Sequence, residues 1–175
     1  MAGSWDQDAQ DRAPRRARNA AGASTWFNWT QYPDHGPGLE VLKLSPGARV
    51  LDLGCGKGGN MAHVYAQGHR GVGVDVSAVQ VAHARTRWPH LEVVLGDVVA
   101  YLDEGEVPFD AAYSVFGAHW FADPDLLLPA VHRRLRGVIT FTYAPLNVVS
   151  AVQRRHARVC TPAIPACHNA FLHRD

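Results

Sequence analysis

The stretch that decides the fold of this chain is Val50-Leu51-Asp52-Leu53-Gly54-Cys55-Gly56-Lys57-Gly58-Gly59-Asn60. Arg49 and the first four of these residues form a short, largely apolar run, which is typical of a buried parallel strand. The glycines that follow allow the backbone to turn sharply. Residues 57–67 are predicted to form a helix, which ends at Gly68, where glycine adopts a left-handed conformation most easily. The stretch therefore predicts a strand, a glycine turn and a helix.

Similar units continue along the chain. Further strands are predicted at residues 71–76, 91–95, 109–115 and 138–143, and further helices at 78–88 and 123–136. Strands that alternate with helices of about ten residues indicate right-handed βαβ crossovers and a parallel sheet. The prediction is an α/β fold with a doubly wound, mostly parallel sheet of about five strands.

After Tyr143 the pattern weakens, because residues 160–175 contain two prolines and have no clear period. Strand five would then form an unpaired edge of the sheet. Three interpretations stay open: a truncated or frame-shifted gene product, an edge covered by the residues from Asn147 onward as helix and loop, or a sheet completed by a second chain. A homodimer is one assembly that the third interpretation allows.

Composition limits the class of protein. The 175 residues are 47% hydrophobic and 19% charged, which predicts one domain over residues 25–175 after a polar, disordered arm over 1–24. A net charge of +1 provides no excess of positive charge for nucleic acid. The three cysteines fit a reducing compartment, and no apolar stretch reaches the roughly 18 residues of a membrane span. We expect a cytoplasmic protein with a small-molecule partner and neither nucleic acid nor membrane.

The glycine turn is suited to a ligand. Its backbone can approach a bound molecule closely, and the helix after it directs N–H groups and the positive end of its dipole to the same place. Gly54, Gly56 and Gly59 satisfy the dinucleotide pattern G-x-G-x-x-G, and Asp75, about twenty residues further on, is placed to bind ribose hydroxyls. These features alone leave a dinucleotide and S-adenosylmethionine as alternatives.

Asp52 favours S-adenosylmethionine. An acid at the end of the first strand would repel a pyrophosphate, whereas it attracts the ammonium of a methionine moiety, directly or through water. With this acid, residues 50–58 resemble motif I of the class I S-adenosylmethionine-dependent methyltransferases, whose fold is Rossmann-like. The resemblance extends from about Arg49 to Tyr143.

The resemblance implies roles for several residues. Asp75 would hold the ribose, residues 96–98 would bracket the adenine with Asp97 toward its amino group, and residues 114–116 would close the site. The cofactor-binding residues implied in this way are Asp52, Gly54, Cys55, Gly56, Asp75, Val76, Asp97, Val98, Ser114 and Phe116. The turn before strand five departs from the family, because a single Gly137 stands where members usually have Pro-Gly-Gly.

The acceptor side is predicted from residues 116–121, Phe-Gly-Ala-His-Trp-Phe, at the end of strand four, where open α/β sheets bind ligands. This stretch resembles the Ala-x-His-Trp segment of small-molecule methyltransferases. His119 is the candidate general base, and His119 with Trp120 would face the substrate. The alternative is that both only shape the pocket, because methyl transfer from a sulfonium gains mostly from proximity and in-line orientation.

Aromatic residues before the first strand are a further candidate. Trp29 and Tyr32 resemble the aromatic N-terminal segments that cover the cofactor in similar enzymes, which would make Tyr32 a substrate-facing residue; ordinary core packing is the alternative. No metal is expected, because Cys160, Cys167, His168 and His173 match no zinc spacing.

The sequence therefore predicts transfer of a methyl group from S-adenosylmethionine to an oxygen, nitrogen or carbon of a small molecule. The alternative is a truncated or vestigial protein that binds the cofactor without turnover.

Overall fold

The structure is a computed structural model that describes residue 6 and residues 17–30, 36–141 and 171–172. The strands are β1 (Arg49–Leu53), β2 (Arg70–Asp75), β3 (Glu92–Leu95), β4 (Phe109–Ser114), β5 (Leu135–Phe141) and β6 (Phe171–Leu172). The α-helices are α1 (Gly59–Ala66), α2 (Ala78–Arg87), α3 (Val98–Glu104) and α4 (Pro124–Arg134), and 3-10 helices span Leu39–Leu42 and Ala118–Trp120. In this described part, none of the helices is long and apolar enough to cross a membrane.

The strands form one sheet in the order β3-β2-β1-β4-β5-β6. The first five strands are parallel, which confirms the predicted fold class. β1 lies in the middle, and its residue Asp52 is in register with Gly73 of β2 and Tyr113 of β4. Because the strands are parallel, the turn after β1 and the loop after β4 meet at the same edge of the sheet.

The far edge of the sheet differs from the prediction. β6 pairs antiparallel with β5, and Ile139 and Thr140 are opposite Leu172 and Phe171. Over these residues β5 is therefore not the unpaired edge that the sequence predicted.

β5 begins at Leu135, directly after α4, and Gly137 lies so close to β4 that an added Cβ would be 2.0 Å from the Asp110 carbonyl oxygen. This close contact accounts for glycine at that position.

Side chains of β1 alternate between two hydrophobic cores. Leu51 and Leu53 pack with residues of α3 and α4 on one face of the sheet. Val50 packs with residues of α1, α2 and the N-terminal segment on the other face. This alternation follows from the two-residue period of a strand. Asp52 is on the same side as Val50, beneath the glycine turn.

The helix boundaries follow from capping. Gly58 has a φ of 72°, so α1 begins at Gly59, two residues later than predicted, and the φ of 83° at Gly68 confirms the predicted left-handed end. Helix α3 was not predicted. Asp97 begins it, because its carboxylate accepts hydrogen bonds from the N–H groups of Val99 and Ala100 at 2.9 and 3.1 Å.

Candidate functional site

The glycine turn is held against the sheet by its own backbone. The N–H groups of Gly54 and Cys55 both donate to the Val74 carbonyl of β2, at 2.9 and 3.1 Å. Gly54 has a φ of 91°, and a Cβ there would lie 2.6 Å from the Ala118 nitrogen. A Cβ on Gly56, in contrast, would meet nothing within 4 Å. The turn is therefore packed tightly on the loop after β4 at Gly54 and open at Gly56.

Asp75 lies beside the open part of the turn, at the carboxyl end of β2. Its Oδ2 accepts a hydrogen bond from the Gly56 N–H at 2.8 Å, and its Oδ1 accepts one from the Ser77 N–H at 2.9 Å. Burial raises the pKa of Asp75, and the bonds from Ser77 and Gly56 oppose that shift. Val76, the next residue, is 38% exposed. The carboxylate is thus fixed next to the turn, with an exposed apolar side chain beside it.

Asp52 is buried beneath the turn, with only 3% of its surface exposed. The Tyr113 hydroxyl donates a hydrogen bond to Asp52 Oδ2 at 2.8 Å. Burial raises the pKa of Asp52 to about 8, and the hydrogen bond from Tyr113 lowers it in part. Burial thus favours the protonated form of this carboxyl, whereas the ammonium preference predicted from the sequence is that of the ionised form.

Cys55 fills the space between the turn and β2. A Cβ on Gly73 would lie 2.7 Å from the Cys55 Cβ, so the glycine makes room for the cysteine side chain. Burial raises the pKa of the Cys55 thiol well above its usual value. The thiol therefore stays protonated and acts as a small apolar side chain, not as a nucleophile.

The predicted adenine residues lie at the start of α3. Asp97 is exposed at the carboxyl end of β3, and its Oδ1 caps the helix. Val98 is only 4% exposed and packs in the core, so its backbone is the part that can face a ligand.

The end of β4 and the loop after it combine hydroxyl, aromatic and histidine side chains. Ser114 is fully buried and donates to the Leu53 carbonyl at 2.5 Å, so it ties β4 to the end of β1. Phe116 has a φ of 51°, and its ring lies 5.9 Å from that of Trp120. The His119 ring stacks on Phe141 of β5, with centroids 4.9 Å apart. The structure therefore brings His119 and Trp120 to the same edge of the sheet as the glycine turn.

The N-terminal segment, residues 25–30, packs behind the turn. The Asn28 N–H donates to the Asn60 side-chain oxygen at 3.1 Å, and the Asn60 amide nitrogen donates back to the Asn28 carbonyl at 3.2 Å. Phe27 and Trp29 are buried and surround Tyr113. This favours core packing for Trp29, while Tyr32 is outside the described residues.

Sequence reasoning missed three contacts at this site: Tyr113 with Asp52, Asn28 with Asn60, and a contact of the N-terminal arm. In the last, Asp6 Oδ1 accepts hydrogen bonds from the Ser77 hydroxyl at 2.5 Å and from the Val79 N–H at 3.3 Å, at the start of α2. A polar-tipped aromatic residue in a buried strand was the only signal for Tyr113. The register that pairs it with Asp52 is not readable from sequence.

Metal-binding side chains do not cluster in the described part of the chain: no three His, Cys, Asp or Glu residues there come together to hold an ion. The cysteines and histidines at 160, 167, 168 and 173 are outside the described residues.

Comparison with known proteins agrees with this geometry. The sequence model of the methyltransferase domain family matches residues 50–137, slightly more than half of the chain. A solved TehB-like SAM-dependent methyltransferase from Corynebacterium glutamicum aligns with a TM-score of 0.52 and 25% identity, over 67% of this chain and 66% of that one.

Two curated relatives match over similar regions. The trans-aconitate 2-methyltransferase of Paracidovorax citrulli is 35% identical over 100 residues, which are 55% of this chain and 38% of that protein. The mouse (Mus musculus) 18S rRNA (guanine-N(7))-methyltransferase is 28% identical over 110 residues, 62% of this chain and 39% of that protein. The chain thus spans well under two thirds of these relatives. The family match and the parallel sheet with its glycine turn together show that the chain belongs to the class I S-adenosylmethionine-dependent methyltransferases.

Proposed function

We propose that this protein transfers a methyl group from S-adenosylmethionine to an oxygen, nitrogen or carbon of a small molecule. The observation that carries the proposal is the position of Asp75, whose Oδ2 is fixed 2.8 Å from the Gly56 nitrogen. A carboxylate, an open glycine turn and the N-terminus of α1 thereby lie together at the carboxyl edge of the sheet. S-adenosylmethionine has matching groups. Its ribose hydroxyls can donate to the Asp75 carboxylate, and the carboxylate of its methionine end can accept from backbone N–H groups.

The residues of this edge fit the cofactor piece by piece. The N–H groups at the start of α1 suit the methionine carboxylate, and Asp52 beneath the turn suits its ammonium. Gly54, Cys55 and Gly56 form the wall against which that amino-acid end would lie. Each Asp75 oxygen accepts one backbone N–H and has a further lone pair for a ribose hydroxyl.

The adenine would lie between the start of α3 and the end of β2. Val76 is 38% exposed there and supplies an apolar surface, while the backbone of Val98 and the Asp97 carboxylate supply polar groups. Ser114 and Phe116 would support the opposite wall of the site. Ser114 would do so indirectly, because its hydroxyl is donated to Leu53.

His119 and Trp120 would face the acceptor. His119 is held by its stack on Phe141, so its ring is presented in one orientation beside the turn. In this role it takes a proton from an acceptor hydroxyl or amine as the methyl group is transferred. A small-molecule acceptor is favoured over RNA, because the net charge is only +1 and the aconitate methyltransferase relative has the higher identity, 35% against 28%.

Binding and turnover are tested separately. S-adenosylmethionine, S-adenosylhomocysteine and NAD are titrated calorimetrically, and transfer of labelled methyl is followed with trans-aconitate, a pooled metabolite extract and rRNA. We expect binding of both adenosyl ligands, none of NAD, and labelled product from small molecules. Binding without any product would favour the cofactor-binding protein without turnover, and labelled rRNA would exclude the small-molecule acceptor.

Asp75→Ala is the matched variant for this test. Loss of charged hydrogen bonds to the ribose should weaken S-adenosylmethionine binding by at least about tenfold. Asp103→Ala is the control, since Asp103 is about half exposed and pairs with Arg133 on the surface. Equal affinity of the two variants would contradict the ribose role of Asp75.

A further inference from the structure

Tyr113 and Asp52 form a buried polar pair on neighbouring strands. They are register partners between β4 and β1, and the Tyr113 hydroxyl lies 2.8 Å from Asp52 Oδ2. Tyr113 is fully buried and Asp52 is 3% exposed. Each side chain therefore depends on the other, because a buried polar group without a partner costs its full desolvation free energy.

The other titratable groups that act on Asp52 are acids. Within the described ranges these are Asp75, from β2, which raises the pKa of Asp52, and Cys55, in the turn, whose own pKa Asp52 raises. Tyr113, from β4, acts in the opposite direction by donating a hydrogen bond to the carboxylate. Among these groups Tyr113 alone favours the ionised form of Asp52.

The ring of Tyr113 is fixed by aromatic contacts. Phe27 meets it edge to face with centroids 4.9 Å apart, and Trp29 does so at 6.1 Å. The segment that carries these two rings is tied to α1 by the reciprocal hydrogen bonds of Asn28 and Asn60. The Tyr113 hydroxyl is therefore directed at Asp52 by packing from the opposite side.

We propose that Tyr113 is a positioning residue, whose hydroxyl orients the Asp52 carboxyl to receive the ammonium of the cofactor's methionine end. This inference rests on the proposed function. When the ammonium binds, Asp52 releases its proton to the solvent, and the hydrogen bond from Tyr113 stabilises the resulting carboxylate. Tyr113 itself does not touch the reacting atoms.

The test compares the binding of two ligands to the wild-type protein and to Tyr113→Phe. S-Adenosylhomocysteine and 5′-methylthioadenosine share the adenosine and the sulfur, but only the first has the amino-acid end. Tyr113→Phe should weaken S-adenosylhomocysteine binding about tenfold at pH 7 and leave methylthioadenosine binding unchanged. The acid limb of the pH profile for S-adenosylhomocysteine should move to higher pH, because Asp52 then ionises less readily.

Tyr65→Phe is the matched control. Tyr65 packs against the same hydrophobic core, and its hydroxyl donates to the Gly71 carbonyl at 2.9 Å, at the start of β2. Loss of the Tyr65 hydroxyl should change the affinity for S-adenosylhomocysteine and for methylthioadenosine by no more than about twofold, since Gly71 lies at the opposite end of β2 from Asp75. In an Asp52→Asn background, Tyr113→Phe should have no further effect on S-adenosylhomocysteine binding.

The outcomes separate the two proposals. If the wild-type protein binds neither ligand, the proposed function fails. If it binds both, and Tyr113→Phe keeps wild-type affinity and pH profile, the positioning role is overturned while cofactor binding stands. Equal weakening of both ligands with an unchanged pH profile means a structural role only, and also overturns the inference.

A second measurement keeps the hydroxyl of Tyr113. The five tyrosines are replaced by 3-fluorotyrosine, and the fluorine resonance of Tyr113 is assigned by elimination with each other tyrosine changed to phenylalanine. S-Adenosylhomocysteine should shift this resonance, whereas methylthioadenosine should leave it in place. The absence of a difference between the two ligands would overturn the positioning role.

Discussion

The turn after β1 and the loop after β4 meet at the same edge of the sheet but are built differently. The turn is made of backbone: glycines with φ of 91°, 52° and 72° at Gly54, Gly56 and Gly58 and N–H groups that bond to β2. The loop, residues 115–120, is characterised by side-chain rings that contact one another and β5. A backbone site suits a ligand that never changes, while a side-chain site can be altered for each acceptor.

Contact between the two regions at Gly54 provides the largest predicted effect. In Gly54→Ala the new Cβ would meet Ala118 and Gly117 backbone at 2.6 and 2.7 Å, and the φ of 91° would be strained. We expect a loss of about 3 kcal/mol or more in the free energy of unfolding, measured in urea, and no detectable cofactor binding.

Gly68→Ala separates strain from contact. Gly68 has a similar φ of 83°, but a Cβ there would meet nothing within 4 Å. The free energy of unfolding of this variant should fall by only about 1 to 2 kcal/mol, and the variant should bind S-adenosylhomocysteine like the wild type. If the two variants are equally stable and both bind, the close contact between turn and loop is not important.

The buried acid under the turn predicts the next effect, on stability against pH. The pKa of Asp52 is raised to about 8 in the folded chain, and it returns to its ordinary value of 3.8 when the chain unfolds. Between these values the folded chain binds the extra proton, so the free energy of unfolding should fall as pH rises, by at most about 1.4 kcal/mol per pH unit.

Asp52→Asn should flatten this slope between pH 5 and 7, measured by urea unfolding at several pH values. Asp75, whose pKa is also raised by burial, contributes a residual slope of the same sign. An unchanged slope in Asp52→Asn would contradict the burial of a protonated Asp52.

The side-chain region is tested at His119. In His119→Asn, methyl transfer should fall about a hundredfold in kcat if the histidine takes the acceptor's proton. Binding of S-adenosylhomocysteine should stay within about twofold, because the turn is intact. A normal kcat would leave His119 as part of the pocket wall only.

The smallest predicted effect compares two helix caps. Asp97 and Asp123 are both exposed and cap α3 and α4 with their side chains. Asp97→Ala and Asp123→Ala should each lose about 1 kcal/mol in the free energy of unfolding. Only Asp97→Ala should also weaken the binding of S-adenosylhomocysteine, by about fivefold, because Asp97 lies at the proposed adenine position. If Asp97→Ala and Asp123→Ala bind S-adenosylhomocysteine with equal affinity, Asp97 is not part of the adenine site.

The sequence predicted the backbone region well. Apolar runs, glycines and caps act over a few residues, so the five parallel strands and the turn at residues 54–58 were found. Helix α3 was missed, because its seven residues are too few for a clear helical period.

By itself, the amino-acid sequence determined the α/β order, the glycine turn and the family, because each depends on neighbouring residues. Only the tertiary structure decided that Asp52 is buried and paired with Tyr113 and that burial raises its pKa. It also decided that Ser114 ties two strands together and that β6 lies on β5. These contacts join residues that are far apart in the chain, and their register depends on the packing of the whole sheet.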